Sequence, residues 1–220
     1  MLDQAYLGVD TGGTFTDFVL LQDQTIRSYK CPSTPEHPEL AILHGIREMG
    51  LQDLLDQGRL LVVHGSTVAT NAALEGKGAR TVFITNRGFA DILTIGRQTR
   101  DALYELRPAP KAAPVPRELC LEAGGRIGAD GNIIDGLSQA ELDALMADIE
   151  RLKPEAVAIN LLFSFINADF EKAIAEQIPA DIFVSCSSEV LPEYKEYERG
   201  MATWLNAWLG PKVASYLRNL

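Results

Sequence analysis

The sequence predicts an α/β protein built on a mixed sheet, and three observations carry that prediction. Near the N-terminus, three short apolar-rich runs are separated by a glycine turn and a polar turn, the pattern of an antiparallel meander. In the second half of the chain, segments of helical period alternate with short apolar runs, as strand–helix units around a largely parallel sheet do. The composition, 46% hydrophobic and 23% charged over 220 residues, is that of a globular chain long enough to bury a core without a disulfide or metal staple.

Tyr6 to Asp10 reads as a short strand, and Thr11-Gly-Gly-Thr14 as the turn after it. Thr16 to Leu21 resumes as a strand with Phe18 and Leu20 on one face, and Thr25 to Cys31 follows the Gln22-Asp-Gln24 turn. A helix comes next, with Ser33 or Thr34 as its cap and Pro35 and Pro38 near its start. Ile42, Ile46 and Met49 form its stripe, and Gly50 ends it. Leu60 to Val63 is a continuous apolar run, expected to be a strand buried on both faces. A helix from about Thr67 closes at Gly76 and Gly78, and Arg80 to Thr85 is the next strand.

Residues 97–118 hold four prolines, Pro108, Pro110, Pro114 and Pro116, with basic residues among them, and read as an exposed, mobile excursion. Gly124, Gly125, Gly128 and Gly131 punctuate a hairpin. Ser138-Gln-Ala-Glu141 is a capping box, and Leu142, Leu145, Met146, Ile149 and Leu152 follow at helical spacing until Pro154. Ala156 to Leu162 is a buried strand, Asp169 to Gln177 a helix and Asp181 to Ser185 a strand. From about Glu193 the chain is helical, with Trp204, Leu205, Trp208 and Leu209 clustered. These shifts divide the chain into residues 1–95 with the glycine turn, 96–135 with the excursion and hairpin, and 136–220 as a second α/β part ending in a long helix.

Thirty acidic residues against twenty basic ones leave a net charge of −10. That balance argues against nucleic acid and against an anionic membrane surface, both of which require basic patches. Cys31, Cys120 and Cys186 are far apart with no CxxC pair, the usage of buried thiols in a reducing compartment. The acidic opening that turns straight into a strand shows no signal-peptide pattern. The longest nearly apolar stretch, Ala156 to Ile166, is too short to span a membrane. The expectation is a cytoplasmic protein.

The sharpest chemical signal is Gly8-Val-Asp10-Thr-Gly-Gly-Thr14-Phe-Thr16-Asp17. Two glycines between strands let backbone N–H groups converge on an anion, and Thr11, Thr14 and Thr16 add hydroxyls. Asp10, at its strand end, is placed to hold a metal-bound water beside phosphates. The segment is neither a Walker loop nor a dinucleotide fingerprint, because a strand rather than a helix follows it. An ordinary glycine hairpin is the plainer alternative. The second signal is His64-Gly-Ser-Thr-Val-Ala-Thr-Asn71 between a strand and a helix, where His64 or Asn71 could orient a substrate or phosphate. Simple N-capping by Ser66 or Thr67 accounts for it equally well. Arg87, Arg97 and Arg100 are weaker anion-binding candidates, and Glu196-Tyr-Glu-Arg199 reads as a buried ion pair fixing the last helix.

The chain resembles the N-terminal region of the hydantoinase A/5-oxoprolinase family, which includes N-methylhydantoinases and acetone carboxylase subunits. The segments that carry the resemblance are GVDTGGTFTD (8–17), CPSTPEHP (31–38), HGSTVATN (64–71), TNRGFAD (85–91), IGRQ (95–98), SSEVLPEYKEYER (187–199) and LNAWLGP (205–211). Ser66, Asp101 and Gly125 stand where the family usually has threonine, proline and an acidic residue. The resemblance implies an RNase H/actin-like half as the first part of the fold, with ATP and Mg²⁺ as cofactors. It makes Asp10 the holder of a Mg²⁺-bound water, and Thr11, Gly12, Gly13, Thr14 and Thr16 the phosphate-binding residues. His64, Gly65, Thr67 and Asn71 become further active-site candidates, with Asp10, His64 and Asn71 as the catalytic ones. The implied activity is ATP-dependent opening of a cyclic amide through a phosphorylated intermediate. The implied partners are the remainder of a longer chain and a hydantoinase B-type subunit, and from the residues themselves the clustered Trp204 and Trp208 are the expected meeting face for a second copy. The rival reading is a non-catalytic assembly lobe of a multisubunit hydantoinase or carboxylase. A small-molecule kinase of the same superfamily fits less well, since the match extends far beyond the phosphate loop.

Overall fold

The computed structural model describes residues 4–34, 37–99, 104 and 112–219. Contacts divide the chain into two compact units, residues 1–78 with 212–220, and residues 79–211. The boundaries drawn from sequence after residues 95 and 135 both fall inside the second unit.

In the first unit, β1 (Ala5–Thr11), β2 (Phe15–Gln22) and β3 (Thr25–Pro32) form the expected antiparallel meander. β4 (Leu60–Ser66) adds in parallel beside β1, giving the order β3-β2-β1-β4. Strand alternation sends Leu7, Val9, Phe18 and Leu20 inward. There α1 (Pro38–Glu48) covers them with Ala41, Ile42 and Ile46. Gly45 of α1 lies so close to Phe18 that a Cβ there would collide with the ring. The short α2 (Gln52–Asp56) follows Leu51, which is buried in the same core. α3 (Val68–Leu74) leaves the end of β4.

Two expectations for this unit are corrected. The run Leu60 to Val63 is not buried on both faces: Leu61 and Val63 are 45% and 62% exposed. β4 lies at the sheet edge and follows the alternation of β1, so only Leu60 and Val62 turn inward. Neither Ser33 nor Thr34 caps α1, which starts at Pro38 behind His37 without a side-chain cap. Proline tolerates the first helical position and sets the start there. Ser33 Oγ instead lies 2.9 Å from Thr16 Oγ1.

The second unit is a four-stranded parallel sheet in the order β10-β9-β5-β6. Its strands are β5 (Thr81–Asn86), β6 (Cys120–Ala123), β9 (Ala156–Asn160) and β10 (Phe183–Cys186). β5 and β9 are buried along their whole length, as central strands of a parallel sheet should be. α4 (Ile92–Ile95) follows β5. The glycine-punctuated hairpin is present as β7 (Arg126–Ile127) with β8 (Ile133–Asp135). α5 (Gln139–Leu152) carries the full capping box between Ser138 and Glu141 and buries Leu142, Leu145 and Ile149. α6 (Asp169–Ala175), α7 (Ser187–Val190) and most of α8 (Glu196–Asn219) complete the unit, and α8 beyond residue 211 belongs to the first unit.

Much of the proline-rich stretch, Arg100 and Asp101 included, lies outside the described residues. At its described end residues 112, 113 and 116–118 are exposed as expected, while Val115 is buried in the core and Arg117 Nη1 donates to Cys120 O at 2.9 Å. All three cysteines are free, buried thiols. Trp204 and Trp208 stack with centroids 5.3 Å apart, and Trp204 packs on the core. Among the described residues no helix is long and apolar enough to cross a membrane.

Candidate functional site

The glycine hairpin opens on a cleft of about 520 Å³ in the first unit. Thr11, Gly12 and Gly13 form one wall, and Thr67 and Asn71 at the start of α3 form another. Ser33 and Thr34 after β3, and Lys212, Ser215, Tyr216 and Asn219 from the last turns of α8, complete it. The strand ends are tied together at this point: Thr67 Oγ1 donates to Thr11 O at 3.1 Å, and Asn71 Nδ2 donates to Thr67 Oγ1 at 3.2 Å. A Cβ placed on Gly13 would lie 3.8 Å from Asn71 Nδ2, in ordinary contact, which puts the hairpin tip directly beside α3. Within the tip, Gly12 N–H donates to Phe15 O at 3.0 Å. Among the described residues no backbone acceptor takes the Gly13 amide, which suits an anion outside the turn.

Charge in the cleft is nearly balanced. Glu39 and Glu75 face Lys77 and Lys212. Lys77, 2.8 Å from Glu75, holds that carboxyl below its usual pKa, with a smaller contribution from Lys212.

The sequence candidates separate into groups. Thr11, Gly12, Gly13, Thr67 and Asn71 come together in the cleft. Thr14 sits exposed at the tip, with its carbonyl accepting from Ser33 N–H. Thr16 is fully buried and engaged with Ser33 Oγ, so its hydroxyl faces the interior. Asp10 and Gly65 pair across β1 and β4 on the opposite face of the sheet from Thr11. Asp10 is also directly opposite Asp17 on β2, and Asp17 is 2.9 Å from Lys30 Nζ. His64 does not line the cleft; its Nε2 is hydrogen-bonded to the Tyr216 hydroxyl, and Tyr216 lines the cleft instead. Burial pushes the His64 pKa below its ordinary value. Ser66 Oγ accepts from Val68 N–H in a local turn, but Thr67 at the N-cap position of α3 makes no side-chain cap bond, so plain N-capping does not account for the segment.

The residues that sequence reasoning missed are Lys212, Ser215, Tyr216 and Asn219. They enter the cleft from about 140 residues beyond Asn71, and no local pattern connects the two segments. The weaker arginine candidates are engaged elsewhere. Arg87 pairs with Asp135 at 2.8 Å and with Glu141, and Arg97 with Glu198 at 2.6 Å. Arg199 is buried, but its bonds go to Asn160 Oδ1, Ser187 Oγ and the carbonyls of Leu161 and Glu193, not to Glu196.

Residues 6–181 match the family model described as the hydantoinase/oxoprolinase N-terminal region. The caprolactamase subunit alpha of Pseudomonas jessenii is 33% identical over 234 residues, covering 100% of this chain and 33% of that one. The crystal structure of ATP-dependent caprolactamase from Pseudomonas jessenii matches with a TM-score of 0.80 and 32% identity, over 97% of this chain and 32% of that one. A nucleotide-free acetone carboxylase structure has the same fold, with a TM-score of 0.82 at 24% identity over 99% of this chain and 34% of that one. The chain thus spans about a third of the length of these relatives.

Proposed function

The chain belongs to the hydantoinase/oxoprolinase N-terminal family, and from that premise we propose that it is the ATP-binding region of a longer enzyme that opens a cyclic amide. The observation that carries this reading is the hairpin cleft, where Gly12, Gly13, Thr67 and Asn71 surround a polar space at the strand ends. Relatives named as ATP-dependent caprolactamase and caprolactamase subunit alpha supply the substrate class and a multisubunit setting.

In this reading, the Gly13 amide and the exposed Thr14 hydroxyl hold the phosphates of ATP and Asn71 orients them from the facing wall, while Thr11 and Thr67, whose hydroxyls donate to the Gly65 and Thr11 carbonyls, shape the cleft. Asp10 would hold Mg²⁺, with Asp17 as the carboxylate opposite it on β2. One or two carboxylates suit Mg²⁺, which keeps most of its waters and takes phosphate oxygens as further ligands. Among the described residues no group of three His, Cys, Asp or Glu side chains is gathered as for a metal held by protein alone. Bound there, Mg²⁺ offsets phosphate charge. Asp10 lies on the opposite face of the sheet from Thr11 and does not line the cleft, so a ligand shared by both would have to pass around the hairpin tip. His64 acts by positioning Tyr216 rather than by touching the phosphates. In the longer enzyme the γ-phosphoryl group passes from ATP to the ring carbonyl oxygen, releasing ADP and the ring N–H proton; water then adds at that carbon and the C–N bond breaks to leave an amine and an acyl phosphate, which a second water hydrolyses to carboxylate and inorganic phosphate.

A second reading, an assembly lobe without chemistry of its own, is favoured by one observation. Tyr6, Val19, Leu21, Ile26, Leu61 and Val63 share one face of the first sheet and are 43–69% exposed. A ³¹P NMR titration of Mg-ATP with this chain and with Gly13→Val tests the two. Saturable phosphate shifts that the valine abolishes support the nucleotide reading, and their absence in the parent chain supports the assembly lobe.

A further inference from the structure

The second unit contains a cavity of about 600 Å³ that the nucleotide reading leaves unused. It lies beyond the C-terminal end of β5, between α4 and the first turns of α8. From β5 the chain goes to β6 on one side and later to β9 on the other. That order puts a topological switch point, where open α/β sheets take ligands, past β5 and β9, and α4, the helix that follows β5, supplies Leu93 and Ile95 to the cavity wall. Asn160, the last residue of β9, donates through Nδ2 to Glu196 O at 3.1 Å and so joins the sheet end to the start of α8.

The wall has two kinds of surface. Leu93, Ile95, Pro114 and Met201 are apolar, and Ile95 remains 44% exposed. Beside them Arg97 Nε donates to Glu198 Oε1 at 2.6 Å. Both polar groups are held by their supports. Gly96 has φ 56° and ψ −142°, a conformation that glycine adopts far more readily than other residues, and it lets Ile95 and Arg97 face the same space. Glu198 precedes Arg199, whose buried guanidinium is bonded to Asn160, Ser187, Leu161 and Glu193, which anchors that turn of α8.

A guanidinium beside a carboxylate offers donors next to an acceptor. A cis amide edge offers the complement, a carbonyl oxygen and an N–H on the same side. Small lactam rings enforce that geometry, whereas an open-chain secondary amide is trans and separates the two groups. The pair is neutral overall, so Glu198 opposes a carboxylate or phosphate at Arg97 but accepts an uncharged amide. We propose that this cavity binds the cyclic amide, with Arg97 donating to the ring carbonyl oxygen, Glu198 accepting the ring N–H, and the ring methylenes resting on Leu93, Ile95 and Met201. The inference rests on the cyclic-amide reading above and adds where the ring is held.

The experiment is an amide-resolved NMR titration of this chain with ε-caprolactam, N-methyl caprolactam and N-methylacetamide. The lactam should give saturable shifts at residues 93–97 and 197–201. N-methylation, which removes the donor, and the open-chain amide should each weaken binding by about tenfold or more. Arg97→Leu and Glu198→Leu should weaken the lactam similarly; these side chains are 63% and 28% exposed, so the fold tolerates both changes. Equal affinity for the lactam and its N-methyl derivative, or no saturable shift at these residues, overturns the proposal. Mg-ATP added to the same sample separates the two readings. Nucleotide shifts at the hairpin without lactam shifts reject only the lactam site, and lactam shifts without nucleotide shifts reject only the nucleotide cleft.

Discussion

His64 is hydrogen-bonded to Tyr216 and shielded enough that burial lowers its pKa from about 6.5. The unfolded chain therefore takes up a proton on this ring near pH 6.5, while the folded chain takes it up only at lower pH. Stability is full above pH 6.5 and declines as the pH is lowered from there toward the folded-state pKa. Replacing His64 with Gln should flatten this part of the stability profile. Urea melts of both proteins at pH 7.5 and 5.5 test it, and an identical pH difference in the two would contradict the assignment. Other residue-scale features were only partly legible. Glu196-Tyr-Glu-Arg199 announced a fixed helix start, and Arg199 does fix it. The spacing suggested partners three residues away, but Glu198 pairs with Arg97, 101 positions earlier, and Arg199 binds the ends of β9 and α7. A charged residue advertises that it needs a partner, not which strand end will supply it.

At the scale of elements, the meander and α5 were legible because their signals are local. The glycine turn, the alternating apolar positions and the Ser138–Glu141 box each act within a few residues. α1 shows the other case. Its stripe was visible, but nothing local marks Gly45 as the contact that lets α1 settle on Phe18. Gly45→Ala should therefore destabilise the protein by about 1–3 kcal/mol through overpacking, despite the better helix propensity of alanine. Chemical denaturation checks the sign; a stability gain would mean that Phe18 moves aside freely. The strand at Leu60 to Val63 misled for a related reason. A continuous apolar run fits a central strand, and whether such a strand is covered on both faces depends on what else reaches it.

At the scale of the whole molecule, this chain should fold and yet release phosphate from ATP at a rate indistinguishable from background. Both units carry their own cores, which supports folding. Phosphoryl transfer needs the phosphates held and their charge met from several directions, and the described cleft supplies one glycine cradle with two lysines and two glutamates that nearly cancel. Each tenfold of lost rate corresponds to about 1.4 kcal/mol, so a few missing contacts suffice. A phosphate-release assay with Mg-ATP tests this, and steady turnover well above a Gly13→Val control would refute it.

The sequence by itself determined the α/β class, the order of most strands and helices, the glycine hairpin with its threonines, and the family, because turns, caps and periodicity depend on residues close together in the chain. Only the tertiary structure decided that the strands fall into two four-stranded sheets and a two-stranded hairpin, that Thr16 turns inward while Asp10 and Thr11 take opposite faces, and that residues 212–219 wall the hairpin cleft. It also decided that Arg97 and Glu198 share a cavity. These depend on which distant segments meet, and that is set by the burial of whole faces, which no window along the chain contains.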